Sequence, residues 1–585
     1  MAGNEPLSPP VPVFPDGGGI QSDAETAPLT GDERQRHFGW RLRTSDIVVM
    51  GLLGFTFLMI DLHPMYHSDV WGHLKYGKWI LSHGRLPDHE PFTPFADQRT
   101  PYVNFQWLSQ SLFYLLYRAG EIVAGGDEIR RTEGGVEWLR AFHAAVEVCR
   151  FILLLVAFRR RGGSAPLACA WLALSVLLAG HGHLAILRPQ IIGEAFFAGL
   201  LLALSRPILS PRAVVTVTLI MVLWANAHGS FTIGLVLLGL CLAGRAVNVW
   251  IASKWDPRAA WTDPQVRRLL ITLGASVVAI AILNPHGPSL YWQTLKLARH
   301  PNIVSMIEWG PLTFDLRSGW HWNYLGLIGL AAVIQALNRK WFPASDYLLL
   351  TAFGLPPLYQ QRMMVWWMMV APWVLIPHFA AIVARIRCGQ PHRASEPSVR
   401  KTLIALQLLI ATALLSAPVR WLVNGRPDAL ENSAYNATPW QVVAELHATP
   451  EQKGTWLPEL AHGLTEYYPE GQFRGAIFSS ELLGDYLLWG LAPETPIIAY
   501  SHAHLFTPVY WLHFRMTKAG MTGYQRFLDY YNVNMVVIEA ELYPDLCRLL
   551  TRDPAWLIVL DETGTHKKSN RRGHLLVALR KQPRP

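Results

Sequence analysis

The stretch MVWWMMVAPWVLIPHFAAIVAR, residues 364–385, is apolar almost throughout, and Arg385 at its end is its only charged residue. About 20 apolar residues in a helix are enough to cross the hydrocarbon core of a bilayer. Comparable runs recur along the chain, at about 45–63, 138–158, 164–181, 189–206, 211–227, 230–250, 267–283, 322–338, 344–360 and 401–419. The sequence therefore predicts a polytopic α-helical membrane protein with about eleven spans.

The composition agrees with this class. The chain is 51% hydrophobic and 16% charged, whereas a soluble protein carries roughly 25% charged residues. The net charge of +9 lies mostly in short loops between apolar runs, which is the positive-inside pattern rather than a nucleic-acid-binding surface. Membrane lipid is thus an expected partner and nucleic acid is not. The five cysteines include no C-x-x-C pair, so we expect neither a disulfide framework nor a cysteine zinc site.

The basic loops set the predicted orientation. With eleven spans, the short basic loops, such as 159–161 and 339–340, all fall on one side. That side is the cytoplasm by the positive-inside rule. The N-terminus is then cytoplasmic and the C-terminal region extracytoplasmic. The segment 107–120 is apolar enough to enter the membrane, and we interpret it as a re-entrant or interface-lying helix because a single extra span would scatter the basic loops.

Three regions follow from these patterns. Residues 1–43 form the cytoplasmic N-terminus, and their first 33 or so, rich in proline, glycine and acidic residues, are expected to be disordered. Residues 44–420 form the membrane domain, with a large outer first loop at 64–137. Residues 421–585 alternate short strand-like runs (GAIFS, PIIAY, MVVIEA, WLIVL, HLLVAL) with helical segments, which predicts a soluble extracytoplasmic α/β domain.

Unusual polar motifs gather at the predicted outer face, and the first loop holds the most informative one. Asp69 and His73 are four residues apart in DVWGHLKYGKWIL, so they share one face of a surface-lying helix. Asp69 is either a helix N-cap or a carboxylate base with His73 beside it. Glu90 lies between two prolines in LPDHEPFTPF. It is either a solvated loop acid or a second carboxylate of the site.

The other outer motifs lie at the ends of later spans. Arg188 and Arg362 are either snorkelling anchors or a phosphate clamp, for which the guanidinium is well shaped. Histidines in NAHG and NPHG either belong to helix-end turns or line a ligand site, since glycine and proline there break helices. The remaining candidates in these motifs are Gln190, His228, Asn284, His286, Glu308 and Trp309.

Taken together, these motifs resemble the GT-C superfamily of membrane glycosyltransferases, which use polyprenyl-phosphate sugars. Protein O-mannosyltransferases and the aminoarabinose transferase of lipid A belong to it, and the chain looks closest to bacterial members. The resemblance rests on DVWGHLKYGKWI, HGRLP, EPFT, QWLS, RPQ, NAHGSF, NPHG followed by LY, IEW and GDYLLW, and it covers nearly the whole chain from about residue 45.

The resemblance implies a GT-C-like membrane domain in a bacterial inner membrane and an inverting sugar transfer at its outer face. Asp69 would be the base that takes a proton from the acceptor, aided by His73 and Glu90, and Arg188 or Arg362 would bind the phosphate of the polyprenyl-phosphate sugar donor. His228, His286 and Glu308 would line the cavity. The acceptor is open (lipid, glycan or protein), and so is a divalent metal, which some relatives use.

Three positions depart from the family pattern. Gly72 replaces a second tryptophan, Glu90 replaces an aspartate, and His67 stands where an aspartate is common. These departures weaken the case for a two-carboxylate metal site but leave Asp69 and His73 in place.

Two other function classes stay open. A transporter or flippase of a lipid-linked or small polar substrate would also have many spans, although we find no repeated halves and the polar motifs gather at one face rather than at midplane. A non-catalytic scaffold is the other alternative, in keeping with Gly72 and Glu90. In the C-terminal region Asp485, His502 and His504 could contact an acceptor, but structural roles are the preferred interpretation.

Overall fold

The computed structural model describes residues 41–65, 69–180, 184–315, 321–387, 395–434, 438–562 and 574–584. The expected disorder of the N-terminus and the departure at His67 lie outside these residues. The helices before the C-terminal region are α1 Thr44–Asp61, α2 Asp69–His83, α3 Trp107–Ala124, α4 Glu128–Gly162, α5 Ala165–Ala179, α6 Gln190–Leu204, α7 Pro211–Ala227, α8 Phe231–Ala252, α9 Pro257–Thr262, α10 Pro264–Leu283, α11 Ser289–Ala298, α12 Pro301–Val304, α13 Trp322–Leu337, α14 Ala344–Gly354, α15 Met364–Ile386, α16 Val399–Leu415 and α17 Ala417–Asn424.

The C-terminal region adds a small sheet among short helices. Its elements are α18 Leu430–Ser433, α19 Trp440–Leu446, α20 Pro458–Tyr467, β1 Ala476–Ser479, α21 Glu481–Leu491, α22 Pro508–Lys518, α23 Tyr524–Tyr530, β2 Val533–Glu539, α24 Pro544–Arg552, β3 Trp556–Asp561 and β4 Leu575–Arg580. The strand order is β1-β2-β4-β3, with β1 and β2 parallel and both other pairs antiparallel. Four of the five strand-like runs are strands, whereas PIIAY forms only one bridge, between Ile477 and Ile497.

Five helices among the described residues are long and apolar enough to cross a membrane, and a sixth span results if the bent pair α16–α17 counts as one. The helices that pass are α1, α4, α8, α10 and α15 with its preceding turn, and α5, α6, α7 and α13 are shorter apolar helices. Each of the eleven predicted runs overlaps a helix. The multi-pass class is therefore confirmed, while the number eleven stays a prediction, since α14 has only 11 residues.

The apolar helices turn large hydrophobic side chains away from the protein. Phe55 on α1 is 65% exposed, Leu177 on α5 78% and Ile282 on α10 72%. Such surface would be costly in water and is favourable against lipid tails. The helix α3, which contains the segment 107–120, is not among the candidate spans. Its predicted re-entrant or interface position stays a prediction.

The first loop and the C-terminal region share one hydrophobic core. Trp71 on α2 packs edge-on against Tyr486 on α21, with ring centroids 4.8 Å apart. Lys75 Nζ donates to the carbonyl oxygen of Ala492 at 2.5 Å, just beyond the end of α21, where helix carbonyls lack intrahelical partners. The α2 helix is thus held between α3 and the C-terminal region.

Candidate active site

Four charged side chains from four separate segments meet at one end of the helix bundle. Asp69 begins α2, Arg188 precedes α6, Glu308 lies on the single turn Ile307–Trp309, and Arg362 lies on the turn before α15. Arg188 Nε is 2.7 Å from Asp69 Oδ2, and its Nη1 is 2.5 Å from Glu308 Oε2. Arg362 Nη1 is 3.0 Å from Glu308 Oε1. We call this group, Asp69, Arg188, Glu308 and Arg362, the arginine cluster.

Two further predicted residues hold Arg362 in place. Its Nε donates to Gln190 Oε1 at 3.1 Å. Its guanidinium lies over the ring of Trp309, 5.4 Å from the centroid, which is within the range of a cation–π contact. The guanidinium plane is therefore fixed on three sides, by an amide, a carboxylate and an aromatic ring.

The cluster balances two positive charges with two negative ones. Burial alone would raise the pKa of Glu308, but Arg188 and Arg362 outweigh it and lower this pKa to about 2. Glu308 is thus an ionised carboxylate at neutral pH. An added anion would give the group a net negative charge unless one carboxylate moved away.

The histidines of the predicted site lie around the cluster. The Nδ1 atom of His73 is 3.3 Å from Gln110 Nε2, and Asn104 donates to the other end of that amide at 2.7 Å. His228 contacts Ser230 Oγ through Nδ1 at 2.7 Å. Burial, with Arg362 and His73 nearby, lowers the pKa of His228 to about 3. His228 is therefore a neutral imidazole.

Asn284 and His286 belong to a neighbouring polar group rather than to the arginine cluster. Asn284 Nδ2 donates to Asn226 Oδ1 at 3.1 Å, and Trp107 Nε1 donates to the same oxygen at 2.9 Å. The backbone N–H of His286 donates to Asn284 Oδ1 at 2.9 Å. These contacts join the ends of α7 and α10 to the start of α3, which explains why both motifs combine an asparagine with a helix end.

Glu90 is placed apart from the arginine cluster, in a buried group with two tyrosines. The hydroxyls of Tyr76 and Tyr500 both donate to Glu90 Oε2, and they lie 2.8 Å from each other. The backbone N–H of Phe92 donates to Oε1 at 2.8 Å. Burial raises the pKa of Glu90 to about 7, although these hydrogen bonds oppose the shift. We call Tyr76, Glu90 and Tyr500 the tyrosine cluster.

The C-terminal region contributes more to the site than the sequence indicated. The His502 ring lies 5.5 Å from that of His73 and 5.0 Å from that of Tyr76. Asp485 is fully buried and accepts hydrogen bonds from Ser501, at 3.0 Å from the hydroxyl and 3.2 Å from the backbone N–H. Burial and the nearby Asp69 raise the pKa of Asp485.

Gly72 has a physical reason in this arrangement. A Cβ atom at position 72 would lie 2.2 Å from Asp485 Oδ1, so any larger residue would collide with the carboxyl group. Gly72 is thus a sequence signal that α2 is approached closely by the C-terminal region.

The arginine cluster also continues into the helix bundle through Arg150 and Glu194, which sequence reasoning left out, and through Glu147. Gln190 Nε2 donates to Glu194 Oε1 at 3.1 Å. Glu194 forms an ion pair with Arg150. The Nη2 atom of Arg150 also lies 2.5 Å from Glu147 Oε2. Buried charges in membrane helices are costly unless paired. The position of Arg150 and Glu194 within apolar runs is the signal that could have revealed these two.

Within the described residues, no three or more His, Cys, Asp or Glu side chains are grouped so that they could hold a metal ion. Asp69 and Glu308 instead face guanidiniums.

Comparisons with known proteins give likenesses in structure only. No protein-family model matches the sequence, and neither does any curated protein. The archaeal oligosaccharyltransferase AglB from Archaeoglobus fulgidus, in complex with an inhibitory peptide and a dolichol-phosphate, is 14% identical, with 85% of this chain and 69% of that chain covered and a TM-score of 0.46. The Archaeoglobus fulgidus oligosaccharyltransferase tethered with an acceptor peptide has a TM-score of 0.48 at 14% identity, with 85% of this chain and 69% of that chain covered.

ArnT from Cupriavidus metallidurans in the apo state is 13% identical, with 91% of this chain and 96% of that chain covered and a TM-score of 0.39.

Proposed function

We propose that the chain is a glycosyltransferase that moves a sugar from a polyprenyl-phosphate donor to an acceptor at the outer face of the membrane, with inversion at C1. The observation that supports this best is the arginine cluster. It combines a carboxylate, Asp69, with two guanidiniums at the end of an apolar helix bundle.

The two arginines suit the phosphate of the donor. Arg188 and Arg362 already share one carboxylate between them, and guanidiniums bind phosphate by the same charge-assisted hydrogen bonds. They stand just before the apolar helices α6 and α15. A lipid phosphate could therefore reach them while its polyprenyl tail stays in the hydrocarbon.

Asp69 is the residue that would take the proton from the acceptor. In the proposed step the acceptor oxygen or nitrogen attacks the sugar C1, and the bond between C1 and the phosphate oxygen breaks with its electron pair passing to the phosphate. The acceptor proton goes to Asp69, since a carboxylate within hydrogen-bond reach can act as a general base. Arg188 contacts Asp69 and would stabilise the charge that develops on the leaving phosphate.

The remaining residues would support these two functions. Gln190 and Trp309 hold Arg362, and His73 lies one turn after Asp69. His228, Asn284 and His286 would line the acceptor side. Glu90 would act indirectly, by fixing α2 through Tyr76. The acceptor belongs to a lipid, a glycan or a protein.

The topology is proposed with the function. The membrane domain, residues 44–420, would lie in a bacterial inner membrane with a cytoplasmic N-terminus. Residues 421–585 would form the extracytoplasmic domain that covers the site through Asp485 and His502.

The test is release of polyprenyl phosphate from radiolabelled polyprenyl-phosphate sugars by the full chain purified in detergent, with a crude cell-envelope extract added as the source of acceptor. Wild type should release it, and Asp69→Asn and Asp69→Ala should both lose release by at least about a hundredfold, as removal of a general base typically does. Asp88→Asn is the matched control, because Asp88 is an exposed acid of the same loop and its loss should change nothing.

Equal thermal unfolding of all variants would show that folding is not the cause. Release that continues undiminished in both Asp69 variants would sink the assignment of Asp69 as the base.

A further inference from the structure

Glu308 occupies the position between the two arginines that the proposed function gives to the donor phosphate. Each of its carboxylate oxygens contacts a different guanidinium, Oε2 with Arg188 Nη1 at 2.5 Å and Oε1 with Arg362 Nη1 at 3.0 Å. Two oxygens of a phosphate group would make the same pair of contacts. The carboxylate and the phosphate therefore compete for one place.

Glu308 is also the member of this group that can leave most easily. Its side chain is 36% exposed, compared with 17% for Arg188 and 26% for Arg362. It lies on a single turn, and its neighbour Ile307 is 88% exposed. The turn is attached to the bundle by Gln361, whose backbone N–H donates to the Gly310 carbonyl oxygen at 2.8 Å. A rotation of the side chain alone would free both guanidiniums.

The charges make displacement necessary. With Asp69 and Glu308 ionised, the two arginines are already neutralised. Asp69 contacts Arg188 through Nε, on a different edge from Nη1, which faces Glu308. Asp69 can therefore stay while a phosphate replaces Glu308, and the group then remains neutral with a singly charged phosphodiester.

We infer that Glu308 is an internal counter-anion, which holds the phosphate position when no donor is bound, moves out when the donor phosphate enters and returns to expel the polyprenyl phosphate product. This inference rests on the proposed function. The product is a phosphomonoester with about 1.5–2 negative charges at neutral pH, so two arginines without a competitor would retain it more strongly than the donor.

A purely structural role for Glu308 predicts the opposite result. If Glu308 only held the arginines in place, its loss would loosen them and weaken phosphate binding. If Glu308 competes with phosphate, its neutralisation tightens binding. The sign of the change separates the two roles.

The experiment is isothermal titration of farnesyl phosphate into the full chain in detergent. Glu308→Gln should bind farnesyl phosphate about tenfold more tightly than wild type, which corresponds to about 1.4 kcal/mol. Glu308→Asp, which keeps the charge on a shorter side chain, should tighten binding less. Glu481→Gln is the matched control, because Glu481 forms an ion pair with Lys518 away from the site, and it should leave the affinity unchanged.

A second arm uses inorganic phosphate, which has the same headgroup chemistry without the tail. Tighter binding of it by Glu308→Gln would support the competition at the headgroup position itself, and equal or weaker binding would oppose it.

The outcomes distinguish this inference from the proposed function. Farnesyl phosphate binding that is lost in Arg362→Gln but equal or weaker in Glu308→Gln would overturn the counter-anion and leave the proposed function standing. No binding of farnesyl phosphate by wild type and Glu308→Gln alike would overturn both.

Discussion

The arginine cluster and the tyrosine cluster place the same chemical group in opposite surroundings. Glu308 faces two guanidiniums, which lower its pKa to about 2. Glu90 faces two phenols in a fully buried pocket, and burial raises its pKa to about 7. A guanidinium supplies a full positive charge, whereas a phenol supplies only a dipole, which cannot offset the loss of water around a buried carboxylate. The partner, rather than the residue type, decides whether a carboxylate stays charged.

The two clusters are joined by α2 but closed by different parts of the protein. Asp69 and Tyr76 are about two turns apart on this helix. The membrane domain closes the arginine cluster through Arg188 and Arg362, and the C-terminal region closes the tyrosine cluster through Tyr500. The arginine cluster would serve the chemistry, and the tyrosine cluster would hold the helix that carries the base.

The largest expected effect is the loss of Arg188. In Arg188→Gln, Asp69 and Glu308 lose the cation between them, and the phosphate loses one of its two guanidiniums. We expect release of polyprenyl phosphate to fall by about 10²–10³-fold, the usual cost of a lost charge-stabilising donor. Arg188→Lys should recover part of it, because one ammonium cannot bridge both carboxylates.

The measurement is the release assay with farnesyl phosphate binding beside it. Arg99→Gln, an exposed arginine of the first loop, is the control and should keep full activity. An Arg188→Gln variant with near-normal release would show that the arginine cluster is an anchor rather than the site.

The second prediction is that the two clusters differ in how their carboxylates make the stability of the protein depend on pH. The pKa of Glu90 is higher in the folded protein, at about 7, than in an unfolded chain, at roughly 4.3. The folded protein therefore binds more protons between these values, and its stability falls as pH rises from about 4.5 to 7. Glu90→Gln cannot ionise, so relative to wild type it should gain roughly 3 kcal/mol between pH 5 and pH 8.

Thermal unfolding of both proteins across that range would measure this difference. Glu308→Gln should show no such trend, because Glu308 stays ionised throughout. The exposed Glu459→Gln is the control for Glu90. A difference between Glu90→Gln and wild type that does not change with pH would mean that Glu90 stays charged in its pocket.

The third prediction concerns the close contact between Gly72 on α2 and Asp485, because α2 carries residues of both clusters. Gly72→Ala places a Cβ atom against Asp485 Oδ1, so either α2 shifts or Asp485 loses its bonds to Ser501. Overpacking of this kind costs about 1–3 kcal/mol, and it should lower both the melting temperature and the release rate, because α2 carries Asp69 and Tyr76. Gly239→Ala on α8, where a Cβ meets open space, is the control.

A cycle with Asp485→Ala would identify the collision. The double variant should be less destabilised than the sum of the two single variants, since neighbouring residues are not additive. Additive losses would place the strain elsewhere on α2.

The sequence predicted the members of the arginine cluster but not their contacts. Spans are local, because every backbone hydrogen bond of a membrane helix is made within the helix, so apolar runs located the helices. The polar motifs at their predicted outer ends then gave Asp69, Arg188 and Glu308 as candidates. The pairing could not be predicted, since Arg188 and Glu308 are 120 residues apart and no periodicity links them.

The contacts of the tyrosine cluster could not be predicted from the sequence either. Tyr500 lies 410 residues after Glu90, in a run that was predicted to be a strand and forms only one bridge. We expected structural roles for Asp485 and His502, and this expectation did not include their close approach to α2. Only tertiary packing brings these residues together, and Gly72 is one position where that packing requires a small residue.

The smallest expected effect tests the tyrosine cluster from the C-terminal side. Tyr500→Phe removes one of the two phenols that donate to Glu90, at a cost of about 1 kcal/mol for one hydrogen bond. The loss weighs most on the ionised carboxylate, because a hydrogen bond to a charged group is the stronger one. Tyr500→Phe should therefore be less stable than wild type by more at pH 8 than at pH 5. Tyr530→Phe, on a residue that is 79% exposed, should show neither change. If the cost of Tyr500→Phe were equal at both pH values, the phenol would act through its contact with Tyr76 on α2 rather than through Glu90.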